Sequence, residues 1–244
     1  MIFACGFVLS SLFIPLLFLG GHAFPTSETL STIHSHAKNK RAKLSSSHHN
    51  NDMSLSSAAR HVGKLHPERT LLLLCDMQER FRPLIYKMES VIQTSRYLTS
   101  VATALDIPIV GTQQYTKVFG QTLPDCFADP ETLTKLQESN RIFEKKLFSM
   151  LTPEVKATLA SDYADKDTFV LVGIETHVCV QQTCLDLLEQ GKDVHVIVDG
   201  VSSQQPIDRE IALQRMQAAG AYLTTAQSAS FMLMQSAEHP VRKR

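Results

Sequence analysis

The sequence lacks an excess of charge of either sign. Its 244 residues include 24 Lys and Arg and 24 Asp and Glu, so the formal net charge is zero. Proteins that bind nucleic acid through a basic face carry a clear surplus of Lys and Arg, and we therefore expect no nucleic-acid partner. Two short basic runs, 38–43 and 241–244, are typical of solvated tails.

The cysteines lack the spacings of a structural framework. They stand at positions 5, 75, 126, 179 and 184, with no CxxC pair and no cysteine and histidine spacing typical of zinc. An odd and uneven set argues against a disulfide scaffold. Cys179 and Cys184 would project about 140° apart on a helix, so we expect no bridge between them and place Cys184 in the core.

The first 23 residues lack Lys, Arg, Asp and Glu and form an apolar run that ends in small residues. This run resembles a secretory signal peptide, although no basic residue precedes it. It also approaches the roughly 20 residues that span a bilayer, and only such an uncleaved anchor would put the protein on a membrane. Residues 24–66 are rich in Ser, His, Asn and Lys, which predicts a disordered linker.

Residues 67–238 have the pattern of a globular domain, and a basic tail follows at 239–244. Short apolar runs alternate with segments of helical period. The predicted strands are 70–76, 107–113, 141–145, 167–174, 193–200 and 221–226, and the main predicted helices are 86–105, 131–138, 152–160 and 207–219. Another helix is predicted to carry Cys179 and to end at Gly191. This alternation predicts an α/β fold with a mostly parallel six-stranded sheet.

In a parallel sheet the ligand lies at the carboxyl ends of the strands, and three reactive side chains fall there. Asp76 ends the first predicted strand, Lys145 ends the third, and Cys179 follows the fourth at a helix start, where free backbone N–H groups favour a thiolate. The three residues are suited to act as base, cation and nucleophile in acyl transfer. Each also has a structural interpretation, as a turn cap, a solvated amine and a small core residue.

Other polar and aromatic residues are weaker candidates. His177 would project about 160° from Cys179 on the helix, so we do not expect it to be the base. We expect His195 to be a strand histidine with satisfied hydrogen bonds, and Asp199 to cap the turn after its strand. Packing is the alternative role for three side chains that are candidates for lining a substrate pocket: Phe81, Gln114 and Tyr115.

Several segments resemble one known family, the isochorismatase-like cysteine hydrolases, and in particular the animal isochorismatase domain-containing proteins. The segments are "LLLLCDMQERF", "GTQQYTKVFGQT", "EKKLFSM", "VGIETHVCVQQT" and "ALQRMQAAGAYLTTAQS". The resemblance runs from about residue 70 to 235. It implies a Rossmann-like three-layer sandwich with strand order 3-2-1-4-5-6.

The resemblance also assigns roles to residues. It implies a catalytic triad of Asp76, Lys145 and Cys179, with a cis peptide bond between Ile174 and Glu175. The oxyanion donors would be the backbone N–H groups of Glu175 and Cys179. Because members of the family often form oligomers, we expect a homo-oligomer.

Some positions depart from the family pattern. Thr usually follows the catalytic Lys, but this chain has Lys146; alternation along the strand selects Lys145. Where the family often has "EQYP", residues 113–116 are QQYT, a departure that bears on the inherited substrate preference but not on the triad. The Asp and two His that hold the metal of related nicotinamidases are missing from residues 111–124. We therefore expect no metal and no cofactor.

These observations predict a metal-independent cysteine hydrolase that cleaves a C–N bond, amide or carbamoyl, of a small molecule. Two alternatives stay open. One is a vinyl-ether hydrolase of the isochorismate type, which needs an acid but no thiol, and the other is an idle scaffold of the same fold. The location would be the secretory pathway if residues 1–23 are a signal, and otherwise the cytoplasm or the mitochondrion.

Overall fold

The computed structural model describes residues 62–240. The predicted signal or anchor, most of the predicted linker and the last four residues lie outside the described residues, so the predicted domain boundaries stay predictions. Within residues 62–240, no helix is both long and apolar enough to cross a bilayer.

Strands and helices alternate along the described part of the chain. The strands are β1 Thr70–Cys75, β2 Ile109–Gln114, β3 Ile142–Lys145, β4 Thr168–Ile174, β5 Asp193–Ser202 and β6 Tyr222–Thr224. The helices are α1 Met88–Ala104, α2 Thr116–Phe119, α3 Pro130–Glu138, α4 Pro153–Asp162, α5 Gln181–Glu189, α6 Pro206–Ala218 and α7 Ala226–Met234.

The strands form one six-stranded sheet in the order β3-β2-β1-β4-β5-β6, and every neighbouring pair is parallel. The predicted fold class and strand order are thus confirmed. All six predicted strands exist, and the differences lie at their ends. For example, β5 continues to Ser202, whereas β6 is only three residues long.

The core has two halves because β1 lies in the middle of the sheet and is buried on both faces. Leu72 and Leu74 pack on the face covered by α1 and α7. Leu71 and Leu73 pack on the opposite face, against residues of α4, α5 and α6. Continuous apolar strands of this kind are what a sheet covered by helices on both sides requires.

Local sequence signals explain where two elements begin. Thr152 caps α4, since its hydroxyl accepts a hydrogen bond from the N–H of Val155 at 3.3 Å, and Pro153 occupies the first helical position as predicted. The helix predicted to carry Cys179 begins differently. Residues Thr176–Val180 form a π-helical turn, and α5 follows it from Gln181.

Gly173 allows β1 and β4 to approach closely at the carboxyl edge of the sheet. Its φ is +124°, and a Cβ at this position would lie 2.1 Å from the carbonyl oxygen of Cys75. Only glycine fits such a contact. One residue further on, the peptide bond between Ile174 and Glu175 is cis, as the family resemblance implies.

Two expectations for β5 were wrong. His195 is buried and its ring stacks on Tyr222 at 4.8 Å, but its Nε2 has no hydrogen-bond partner among the described residues. Asp199 does not end the strand, because β5 bulges against β4 and runs on to Ser202. Its carboxylate instead accepts a hydrogen bond at 2.9 Å from the N–H of Ala226, the first residue of α7.

Candidate active site

The carboxyl edge of the sheet brings together the three residues of the predicted triad. Asp76 follows β1, Lys145 is the last residue of β3, and Cys179 lies in the π-helical turn after β4. The side chains of Lys145 and Asp76 are 0% and 2% exposed, and Cys179 is 7% exposed. These groups are therefore shielded from water, where electrostatic interactions are stronger than at the surface.

Lys145 stands between the other two residues. Its Nζ lies 2.7 Å from Oδ2 of Asp76 and 3.5 Å from Sγ of Cys179. The contact with Oδ2 is an ion pair without the angular geometry of a hydrogen bond. The ammonium of Lys145 thus contacts both the carboxylate and the sulfur.

Three neutral oxygens complete the surroundings of this ammonium. Gln114 Oε1 lies 2.6 Å from Nζ, and the backbone carbonyl oxygens of Phe148 and Leu147 lie at 2.9 and 3.1 Å. Burial lowers the pKa of Lys145, but the negative charges of Cys75 when ionised, of Asp76 and of Cys179 when ionised raise it by more. The pKa therefore lies above its ordinary value, and the amine keeps its charge.

Asp76 is held by a residue that the sequence analysis missed. The hydroxyl of Thr112 donates to Oδ1 of Asp76 at 2.7 Å, and the N–H of Asp76 donates to the carbonyl of Thr112 at 3.1 Å. Asp76 has a φ of 49°, a conformation that is uncommon outside glycine. Thr112 lies opposite Cys75 in the pairing of β1 with β2, and a single sequence does not reveal that register.

The three described thiols other than Cys179 are buried, and the pKa of each is raised. Burial, hydrogen bonding with the Cys179 side chain and the charge of Asp76 raise the pKa of Cys75 well above its ordinary value. Burial raises the pKa of Cys126 and of Cys184 to about 12. These three thiols stay neutral near pH 7, and all four described cysteines are free.

The segment that carries Cys179 begins at Glu175. The carbonyl of Glu175 accepts hydrogen bonds from the N–H groups of Val178 and Val180 at 3.1 and 3.2 Å. Its carboxylate accepts from the backbone and side-chain N–H groups of Gln204 at 3.0 and 3.3 Å. The side chain is therefore engaged, and the predicted oxyanion role of the Glu175 and Cys179 N–H groups stays a prediction.

The predicted pocket residues have different surroundings. The Gln114 amide faces Lys145, as described above. Tyr115 is 39% exposed, and the Nζ of Lys146 lies 5.4 Å from its ring centre, so Lys146 points away from Asp76. Phe81 stacks on Phe119 with 4.6 Å between ring centres. Contact of these residues with a substrate stays a prediction.

Two further points concern the surroundings of the site: the direction in which the His177 ring points, and whether the described side chains could hold a metal ion. The Nδ1 of His177 lies 3.0 Å from the hydroxyl of Ser203, and its Nε2 lies 3.9 Å from the carboxylate of Asp208, so the ring faces α6. In the part of the chain that the structure describes, no group of three His, Cys, Asp or Glu side chains could hold a metal ion.

A separate open groove of about 470 Å³ lies at the amino ends of β2 and β3, away from Cys179. Its lining includes Asp106, Pro108, Asp129, Lys135, Arg141 and Tyr163. The groove contains none of the predicted catalytic residues. The buried ion pair and the thiol, rather than the size of an opening, thus mark the candidate active site.

The chain is similar to known proteins. The family model for the isochorismatase domain matches residues 70–228. The "Secreted isochorismatase effector Isc1" of Phytophthora sojae is 41% identical over 76% of this chain and 87% of its own. "Isochorismatase domain-containing protein 2" of Xenopus laevis is 41% identical over 75% of this chain and 85% of its own.

Solved structures are similar as well. The structure described as the MAR1 ribonuclease from Caenorhabditis elegans is 39% identical, with a TM-score of 0.65 over 74% of this chain and 91% of that one. YcaC from Pseudomonas aeruginosa, described with hexane-2,5-diol and covalent acrylamide, is 25% identical, with a TM-score of 0.60 over 71% and 84%. The Escherichia coli YcaC product, described as an octameric hydrolase of unknown specificity, is 22% identical with a TM-score of 0.63 over 75% and 88%, and shares the fold.

The sheet order, the buried polar cluster at its carboxyl edge and the match over most of the described residues lead to one conclusion. This chain belongs to the isochorismatase family of hydrolases.

Proposed function

We propose that this protein is a metal-independent cysteine hydrolase that cleaves a C–N bond, amide or carbamoyl, of a small molecule. The observation that carries the proposal is the position of the Lys145 ammonium, 2.7 Å from the Asp76 carboxylate and 3.5 Å from the Cys179 sulfur. A cation at this place favours a thiolate and orients the carboxylate.

In the first half of the proposed reaction, the thiol of Cys179 gives its proton to Asp76, and the sulfur attacks the carbonyl carbon. The carbonyl oxygen takes the negative charge and accepts hydrogen bonds from the N–H groups of Glu175 and Cys179. The C–N bond then breaks, and the nitrogen leaves with the proton that Asp76 took. A thioester on Cys179 remains.

In the second half, water replaces the amine. Asp76 takes a proton from water while the water oxygen bonds to the thioester carbon. The C–S bond breaks, the carboxylic acid product leaves, and the sulfur of Cys179 takes the proton back from Asp76. Lys145 stays charged throughout, in agreement with its raised pKa.

Two relatives bear on the proposal. Acrylamide forms covalent adducts with nucleophiles such as thiolates, so the covalent acrylamide in the P. aeruginosa relative supports a reactive nucleophile on this fold. The E. coli relative is described as octameric, which motivates the proposal of a homo-oligomer. At 22% identity, this relative shows a shared fold and nothing more. Oligomerisation of this chain is a proposal that the mass in solution would test.

RNA cleavage is a second candidate, because the C. elegans relative is described as a ribonuclease. The described site holds one buried ammonium, which Asp76 already neutralises, and a phosphodiester would add a further negative charge. Labelled RNA incubated with wild type and with Asp76→Asn tests this candidate; cleavage by the wild type alone would mean that RNA is cleaved at this site, and no cleavage by either protein would rule the candidate out.

The first test of the proposed function is the rate at which iodoacetamide alkylates Cys179 between pH 5 and 9, read by peptide mass spectrometry. We expect Cys179 to react at least about tenfold faster at pH 7 than Cys75, Cys126 and Cys184, and the Lys145→Ala substitution to remove that advantage. Lys146→Ala is the matched control, since this exposed amine faces Tyr115.

An ordinary thiol profile at Cys179, unchanged by Lys145→Ala, would contradict the proposal and favour the idle scaffold. If the thiol is activated, a panel of small amides and carbamoyl compounds follows, with Cys179→Ala as the inactive reference. Hydrolysis of a vinyl ether that survives Cys179→Ala would instead favour the isochorismate-type alternative.

A further inference from the structure

The side chain of Lys145 must reach past β2, across two strand spacings, to contact Asp76. In the sheet order β3-β2-β1-β4, Lys145 starts on β3, Asp76 follows β1, and Cys179 follows β4. Neighbouring strands lie about 4.8 Å apart, so β1 is about 10 Å from β3. A lysine side chain has four rotatable bonds and loses considerable rotamer entropy when fixed in one extended position.

Gln114 stands on the path of this side chain, because it is the last residue of β2 and pairs directly with Lys145 in the sheet. Its Oε1 accepts from the Lys145 ammonium at 2.6 Å, and its Nε2 donates to the carbonyl of Lys146 at 3.1 Å. An ammonium only donates and a carbonyl only accepts, so these two partners permit a single orientation of the amide.

A second glutamine fixes the backbone from which Gln114 projects. Gln78 is fully buried, and its Oε1 accepts from the N–H of Gln114 at 2.7 Å. Its Nε2 donates to the carbonyls of Gln114 at 3.0 Å and of Gly120 at 2.7 Å. Both backbone groups of Gln114 are thus held by a residue two positions after Asp76.

We propose that Gln114 is a positioning residue that holds the Lys145 ammonium between Asp76 and Cys179, rather than a residue that contacts substrate. The inference rests on the proposed function, because it assigns Gln114 a role through Lys145. The ammonium has three hydrogens and five neighbouring acceptors. Gln114 supplies the only side-chain oxygen besides Asp76 among its described contacts.

The test is a cycle of four proteins: wild type, Gln114→Leu, Lys145→Ala and the double variant. The readout is the rate and pH profile of Cys179 alkylation by iodoacetamide. Losing a hydrogen bond to a charged group should slow alkylation by Gln114→Leu about tenfold at pH 7. In the Lys145→Ala background, Gln114→Leu should have no further effect, because no ammonium remains to be positioned.

Gln113→Leu is the matched control. Gln113 is the preceding residue of β2 and points to the opposite face of the sheet; it is buried, whereas Gln114 is half-buried. It should leave the alkylation rate within about twofold of wild type, since it has no role in the proposed network. Should Gln114→Leu fail to fold, Gln114→Asn keeps the amide but withdraws its oxygen by one methylene, and should slow alkylation in the same direction.

Different results overturn different claims. If Gln114→Leu slows alkylation equally with and without Lys145, or leaves the wild-type profile unchanged while Lys145→Ala alters it, the positioning role of Gln114 is wrong and the proposed function stands. If Lys145→Ala itself leaves alkylation of Cys179 unchanged, the proposed function and the positioning role are both wrong.

Discussion

At the carboxyl edge of the sheet, Lys145 and Asp76 are buried as a charged pair, with a hydroxyl, an amide and two carbonyls around them. Inside β5, His195 is buried alone, with Nε2 unpaired among the described residues. The first site keeps its charges because each has a partner. Burial lowers the pKa of His195 to about 4, so the second site avoids a buried charge by staying neutral.

The difference between a paired buried charge and a lone neutral ring helps to distinguish a candidate functional site from a residue that only packs. Removing charges from water costs several kcal/mol per ion, and hydrogen bonds must offset that cost. A fold gains little stability from such a pair, and its presence beside a thiol is what motivates the proposed chemistry. A lone neutral histidine stacked on Tyr222 costs only its missing hydrogen bond, and nothing around it indicates a reaction.

The largest expected effect comes from breaking the charged pair. Lys145→Met keeps the volume of the side chain but leaves the Asp76 carboxylate buried without a cation. We expect the free energy of unfolding to fall by about 3–5 kcal/mol at pH 7, as measured by urea denaturation.

The control for this prediction is Lys146→Met at the neighbouring exposed position, which should change the free energy of unfolding by less than about 0.5 kcal/mol. Equal stability of the two variants would contradict the comparison, because it would mean that Asp76 does not need the charge of Lys145 in the folded protein.

Much of the fold was predictable because the signals are local. The apolar run before Asp76 marks a strand buried on both faces, and Thr152 with Pro153 marks the start of α4. The strand order came from the family resemblance. The ends of β5 were not predictable, since its bulge depends on how it pairs with β4.

In the candidate site, only the residues that follow from their place at the strand ends were predictable. Asp76 and Lys145 follow from the rule for carboxyl ends, but Thr112 and the role of Gln114 depend on strand register, which one sequence does not contain. His195 was misjudged because burial in a strand does not guarantee a hydrogen-bond partner when the neighbour is an aromatic ring.

A smaller effect concerns the dependence of stability on pH. The pKa of His195 is about 4 in the folded protein and about 6.5 in the unfolded chain, so between these values the unfolded chain binds more protons. Stability should therefore fall as the pH drops from about 6.5 to 4, by up to about 3 kcal/mol from this residue. His195→Phe keeps the ring stack on Tyr222 and should remove this part of the loss.

The measurement is urea denaturation of wild type and His195→Phe at pH 7, 5.5 and 4. His177→Phe is the control, because that ring is partly exposed and faces Ser203 and Asp208. If His195→Phe lost as much stability as wild type on acidification, the loss would not come from His195. The wild-type ring would then have to gain a partner when it is protonated, and His195 would not be the buried neutral group of the comparison.

The smallest expected effect on stability comes from a substitution of Cys179, the proposed nucleophile. Cys179→Ala removes one sulfur atom, and the Lys145 ammonium keeps its four oxygen neighbours. We expect a loss of only about 1 kcal/mol in the free energy of unfolding, no more than for Cys184→Ala in the apolar core. A loss as large as that of Lys145→Met would mean that a thiolate at Cys179 is part of what holds the ammonium in the fold, and the charged site would then be a three-membered cluster rather than a pair with a nucleophile beside it.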